Sequence, residues 1–143
     1  MSGKAKLVLL VGLPRSGKST VAKKLSKATG FPVVNRDSVR LAYHGKRFAP
    51  EHEGIVNTIT TSMVKALFLA GAEGVILDET NIRRDRRRQW HSDAWETRYY
   101  HIPTTPEVCK ERAIATGQPD LLPVIDRMHG QFVDFGEDEI PWE

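Results

Sequence analysis

The chain has 143 residues, 40% hydrophobic and 27% charged, with a formal net charge of +3. That is enough for one domain around a single core; it excludes a disordered or fibrous chain, and no apolar run reaches membrane-spanning length. A lone cysteine, Cys109, excludes an internal disulfide and a thiolate metal cluster, so a reducing, cytoplasmic location is expected.

Residues 7–11, LVLLV, form an unbroken apolar run that enters a Gly/Lys motif instead of a cleavage site. The run reads as a strand covered on both faces, not as a signal peptide. A helix is expected from Lys18, carrying Val21, Ala22, Leu25 and Ala28 inward and ending at Gly30. A short strand follows around Val33 and Val34. Residues 41–50, LAYHGKRFAP, have no period and contain Gly and Pro, which predicts a loop. From Glu51, the residues Ile55, Ile59, Met63 and Leu67 recur every four positions, Val56, Ala66 and Ala70 widen the stripe, and Gly71 stops the helix. GVILD is a buried strand, a basic helix follows Asn81, and TRYYHI is a fourth strand. Thr105-Pro106-Glu107 is a helix start, with a capping hydroxyl, a proline in the first turn and an early acid. That helix ends at Gly117, a last one covers residues 122–132, and FGEDEIPWE is a tail or a short final strand.

Strands alternating with helices imply an α/β fold of three layers, a parallel sheet with helices on both faces, in a single domain over residues 1–143. Ligands of such sheets bind outside the carboxyl ends of the strands. The informative stretches follow strands: residues 12–20, 35–40 and 78–81.

Gly12-Leu13-Pro14-Arg15-Ser16-Gly17-Lys18-Ser19 fits the phosphate-loop pattern G-x-x-x-x-G-K-S/T without a mismatch. Glycines let backbone N–H groups approach phosphate oxygens, and the helix that starts at Lys18 adds its positive dipole end. Lys18 is expected between the β- and γ-phosphates of ATP and the Ser19 hydroxyl on Mg²⁺. Gly12, Pro14, Ser16, Gly17 and Thr20 complete the cradle, and Arg15 is either a phosphate contact or a solvated loop residue. The pattern names a nucleoside triphosphate and leaves the phosphate acceptor open.

Asp37 and Arg40, three positions apart, share one face of a helical turn. A kinase for an alcohol needs a carboxylate to accept the hydroxyl proton and profits from a cation beside the transferring phosphoryl group. The pair matches those roles; the other reading is a helix cap with a solvated partner. Asp78 ends VILD, the pattern of an acid that holds Mg²⁺.

GLPRSGKST, NRDSVR, EGIV and GVILDETNIRRDRRRQW, in that order and spacing over residues 7–90, resemble the 5′-kinase domain of phage polynucleotide kinase, within the group of small zeta-toxin and adenylate-kinase-like P-loop kinases. The remainder matches more loosely, through ERAIATG and VIDRM. The resemblance implies a P-loop fold with a helical lid and ATP-dependent phosphorylation of a 5′-hydroxyl on DNA or RNA. It implies Asp37 as general base, Arg40 near the reacting phosphates, and Glu79-Thr80-Asn81 as the acidic-Thr-Asn motif, with Glu79 and Asn81 on the acceptor strand. Asp78 is then left to the metal, since neighbours on a strand face opposite ways. The group's lid usually offers two arginines four apart. This chain has Arg112 but Thr116 at the second position, so Arg112 acts alone or Arg127 contributes from the next helix.

Of the arginine run at residues 83–88, some members either face a phosphate backbone or make a solvated surface. Trp90, Trp95, Tyr99 and Tyr100 read as core, with Trp142 the better candidate for base stacking. A kinase for a small alcohol shares every residue above except the acceptor contacts, and a slow ATP-hydrolysing switch would not need Asp37. Neither oligomeric state nor a DNA or RNA preference is legible in the chain, and no membrane partner is expected.

Overall fold

The computed structural model describes residues 3–143. In chain order the elements are β1 (Lys6–Val11), α1 (Lys18–Thr29), β2 (Val33–Asn35), α2 (Arg36–His44), α3 (Glu53–Leu69), β3 (Gly74–Asp78), α4 (Arg84–Arg88), β4 (Glu96–His101), α5 (Pro106–Ala115) and α6 (Leu122–Gln131). Single 3₁₀ turns lie at Pro50–His52 and Pro119–Leu121. All four strands are parallel, in the order β2-β3-β1-β4.

The continuous apolar run of β1 is explained by its central place: Leu7, Val8, Leu9, Leu10 and Val11 are all 0% exposed. Alternate side chains feed two cores. Leu7, Leu9 and Val11 pack with Val64 of α3 and with Trp90 and Trp95; Val8 and Leu10 pack with Ala22 of α1 and with Ile76 and Ile102. Each aliphatic side chain so buried contributes about 1.5–3 kcal/mol. A third cluster joins Leu13, Ile82, Cys109, Ala113 and Ile125, and it fastens the α5–α6 lid to the loop after β1. Among the described residues no helix is long and apolar enough to cross a membrane.

Three local expectations are corrected. The segment read as a loop at 41–50 is helical as far as His44. Asn35 caps α2 by accepting from Ser38 N (2.7 Å), and Gly45, at φ 77°, ends it with its N–H on Arg40 O and Leu41 O. The helix shows no apolar period because its buried residues are Arg36 and Val39. In α3 the buried row is Val56, Thr60 and Val64; Val56 and Leu67 of the expected stripe face the core, whereas Ile55 and Met63 stand 46% and 41% exposed and Ala66 and Ala70 are exposed. The smaller β-branched row fits closer to the sheet, and Thr60 removes its polar penalty by donating to Val56 O (2.8 Å). Ala28 is exposed, so the inward face of α1 is Val21, Ala22 and Leu25.

The tail makes a one-residue parallel bridge, Tyr99 to Pro141, with Tyr99 N donating to Ile140 O (3.0 Å) and Trp142 N to Tyr99 O (2.9 Å). Trp142 is no free stacking platform: its ring packs edge-on against Phe31 at 5.9 Å. Trp90, Trp95 and Tyr99 are core residues, as expected.

Candidate active site

The loop between β1 and α1 is shaped by close approach. A Cβ on Gly12 would lie 2.6 Å from Ser16 Oγ and 3.2 Å from Ile102 O, so only glycine lets the loop fold this tightly. Gly17 takes φ 104° and Arg15 φ 66°, turning the chain into the helix. Thr104 Oγ1 donates to Ser16 O (2.8 Å) and braces the loop from the lid side. The first backbone bond of α1 is Val21 N to Gly17 O, so the N–H groups of Lys18, Ser19 and Thr20 precede the helical ladder and are available to an anion. Ser16 Oγ is buried without a partner.

Lys18 Nζ donates to Gly12 O (3.1 Å) and Leu13 O (2.7 Å). Burial holds its pKa below the ordinary lysine value, partly offset by the negative charges of Asp78 and Asp37. A half-buried lysine on the same loop as open backbone N–H groups favours a multiply charged anion. Pro14 is half-buried, and Arg15 and Thr20 are exposed on the rim. This donor set fits a nucleotide's phosphates.

Asp78 and Glu79 point to different neighbours. Asp78 Oδ2 accepts from Ser19 Oγ (3.0 Å) and from Asn35 Nδ2 (2.8 Å), so its carboxylate lies against the loop hydroxyl. A hydroxyl and a carboxylate so placed fit Mg²⁺, a hard cation with oxygen ligands. Glu79, 8% exposed, lies 3.5 Å from Arg36 Nη1. Burial raises its pKa, against the opposing charges of Arg36 and Arg86. Asn81, at φ 47° and 2% exposed, donates to Leu10 O (3.1 Å). It ties the exit of β3 to β1.

Arg40 is the hub of the facing wall. Its Nη1 donates to Asp37 Oδ1 (2.7 Å), while Nε and Nη2 form a two-pronged fork on Glu53 (2.9 and 2.8 Å). The Asp37 side chain is 71% exposed. Arg36, 3% exposed, runs behind it to Asn57 Oδ1 (3.1 Å), Glu53 Oε1 (3.4 Å) and Glu79. The Arg40 hydrogen bond, opposed by burial, holds the Glu53 carboxyl below its usual value.

From the lid, Arg112 Nη1 donates to Arg15 O (3.2 Å). Thr116 turns its hydroxyl back onto Arg112 O (2.9 Å) and supplies no charge. Arg127 is exposed on α6, two residues beyond the buried Ile125, and so faces away from the core. The arginine run is largely committed to the fold. Arg83 pairs with Asp85, Arg84 with Asp138 and Glu139, and Arg87, 0% exposed, with Glu139 (2.7 Å).

Sequence reasoning missed Glu53, Arg36 and Asn35. Glu53 opens the EGIV stretch and is an acid in the first turn of a helix, but neither signal gives it a role. The other two look like ordinary polar residues until the fold sets them beside Glu79 and Asp78.

The AAA_33 family model, described as an AAA domain, matches residues 7–128. No curated protein matches the chain. Among solved structures, a chain of the Pnkp1/Rnl/Hen1 complex is 26% identical with TM-score 0.70, over 78% of this chain and 40% of that one. A chain of the Pnkp1/Rnl/Hen1 RNA repair complex is 20% identical with TM-score 0.69, over 93% of this chain and 48% of its own. A gluconokinase from Sinorhizobium meliloti 1021 is 19% identical with TM-score 0.68, over 99% of this chain and 82% of the other. This chain therefore spans under half the length of the two repair-complex chains. The shared architecture is that of P-loop kinases, a parallel four-stranded sheet flanked by helices.

Proposed function

Because the chain belongs to the AAA_33 family of AAA domains, we propose that its phosphate loop serves an ATP-dependent polynucleotide 5′-kinase that phosphorylates a 5′-hydroxyl of DNA or RNA. The observation that carries this reading is that Ser19 of a complete phosphate loop and Asn35, two residues before the exposed Asp37, meet on the same Asp78 oxygen, with the Asp37 charge reaching Lys18. The likeness at 26% identity to a chain of the Pnkp1/Rnl/Hen1 complex supports a polynucleotide acceptor; the gluconokinase likeness speaks to fold alone.

When bound, MgATP supplies the phosphoryl group and the metal's charge. The chain's own residues supply position and field. The loop N–H groups and Lys18 hold phosphate oxygens, with Arg112 adding charge from the lid. Ser19 and Asp78 would hold the metal. Asp37 accepts the hydroxyl proton, and Arg40 neutralises phosphate charge beside it. Glu79 and Arg36 form a buried pair behind the acceptor wall, and Asn81 keeps that strand end in register.

The test is transfer from labelled ATP to 5′-hydroxyl DNA, 5′-hydroxyl RNA and a panel of small alcohols. Label on the oligonucleotide ends is expected; label on small alcohols alone would overturn the reading.

Glu53 sets how Arg40 is aimed. By occupying Nε and Nη2 it leaves Nη1 for Asp37 and the acceptor side. Glu53→Gln frees the fork, and turnover should fall roughly ten- to a hundredfold, the scale of a small misplacement of a reacting group, with nucleotide affinity unchanged. The same contact weakens in acid. A carboxyl whose folded pKa is lowered contributes stability above its unfolded value, and that contribution is lost as pH falls below the ordinary carboxylate range through the lowered one. Urea midpoints of the wild type and Glu53→Gln should therefore converge as the pH is lowered.

A further inference from the structure

The loop between α2 and the 3₁₀ turn at Pro50–His52 reaches from the Arg40 side to the lid. Arg47 at its tip forms an ion pair with Asp120, in the 3₁₀ turn that begins the second half of the lid. Next to it, Phe48 is 56% exposed, and its ring lies 5.6 Å from the Arg40 guanidinium carbon. Arg40 in turn bonds Asp37. Four residues thus run outward from the carboxylate, in the order Asp37, Arg40, Phe48, Arg47.

An open aromatic face flanked by guanidinium groups is the chemistry that holds single-stranded nucleic acid: bases stack on the ring and phosphates meet the cations. The Arg47–Asp120 pair is solvent-exposed on both sides, at 45% and 63%. Such pairs contribute little stability, so a phosphate displaces the carboxylate at small cost. Arg83, Arg84 and Arg87 are tied to Asp85, Asp138 and Glu139, whereas the Arg40–Arg47 edge adjoins Asp37 and ends in a pair exposed to solvent; Arg86, also exposed, sends its charge toward Glu79.

We propose that Phe48 and Arg47 form the first nucleotide subsite for a single-stranded acceptor, Phe48 stacking a base and Arg47 taking the phosphate on its 3′ side. This rests on the polynucleotide reading above and adds to it how the strand is gripped.

The test uses the full chain and a roughly ten-nucleotide thymidylate strand with a free 5′-hydroxyl and a 3′ fluorophore, a length within the range one such groove covers. Binding is read by anisotropy and transfer by label from ATP. Phe48→Ala should weaken strand binding and raise its KM about tenfold, with kcat and the KM for ATP within twofold. Phe48→Trp should restore both. Arg47→Ala should reduce the slope of log affinity against log salt by about one. Wild-type strand affinity retained by Phe48→Ala, or a loss that Phe48→Trp does not repair, would overturn the subsite. The two proposals separate cleanly. If the strand binds through Phe48 but accepts no phosphate, the subsite stands and the kinase reading falls. If transfer proceeds and ignores Phe48, the reverse holds. A strand that does not bind at all overturns the subsite.

Discussion

Asp37→Asn is expected to lower phosphoryl transfer by about 10²–10⁴-fold, the contribution of a positioned general base, and to leave nucleotide affinity and folding stability nearly as they are. The side chain is 71% exposed, and its ion pair is with Arg40, three positions along the same helix. Removing such a contact costs about 0.5 kcal/mol or less. The amide keeps the shape and can still accept from Arg40 Nη1, but it has no basic oxygen to take a proton. Rates should be read with the 5′-hydroxyl strand under saturating ATP, alongside nucleotide affinity measured by titration. Unchanged turnover would remove Asp37 from the chemistry and favour a nucleotide-binding switch that does not need it.

The largest effect on stability is expected where the tail meets the turn after β3. Glu139→Ala should destabilise the protein by about 3–5 kcal/mol, because it leaves the Arg87 guanidinium charged, buried and unpaired. Both side chains are 0% exposed. Arg87 also donates to Asn81 O (3.2 Å), Ile82 O (3.0 Å) and Val133 O (2.9 Å), and its guanidinium stacks over Phe135 at 4.7 Å. It therefore joins the turn after β3 to the tail. Burial works against the Glu139 carboxylate, but the Arg87 hydrogen bonds and the Gly136 N–H outweigh it and lower its pKa. The pair is accordingly kept above the ordinary carboxylate range and lost in acid. Urea midpoints at neutral pH check the magnitude, and the melting temperature should drop by on the order of 10 °C. A double replacement by well-packed apolar residues, Arg87→Met with Glu139→Leu, should recover most of the loss. A Glu139→Ala loss below about 1 kcal/mol would show that water reaches the site.

Backbone architecture was largely legible in the chain. β1 betrays itself by an uninterrupted apolar run, and α5 by Thr105-Pro106-Glu107, where Thr105 Oγ1 accepts from Val108 N (3.3 Å). The loop from Gly12 to Ser19 was legible because its function restricts residue type at each position. The phase of α3 was legible only in Val56 and Leu67, because side-chain size favoured Ile55 and Met63 whereas close packing favours Thr60 and Val64. The same applies to the arginine run. From composition it is an even stripe of charge, yet Arg87 is enclosed and Arg88, one position on, is exposed. Which arginine finds a carboxylate depends on a tail more than forty positions away in sequence, and no local pattern encodes that. Glu53 stayed hidden for the same reason: its fork with Arg40 is a contact between two helices.

The tail's bridge to Tyr99 has a consequence for self-association. Parallel sheets end in strands whose outer N–H and C=O groups can template pairing with another molecule. The β2 margin is only three residues long, too brief to recruit a neighbour readily. The β4 margin is six residues long, and residues 140–142 lie along its middle. That cover is anchored by Glu139 on Arg87, so turbidity at high concentration is an expected result of Glu139→Ala, read by light scattering beside the urea midpoint.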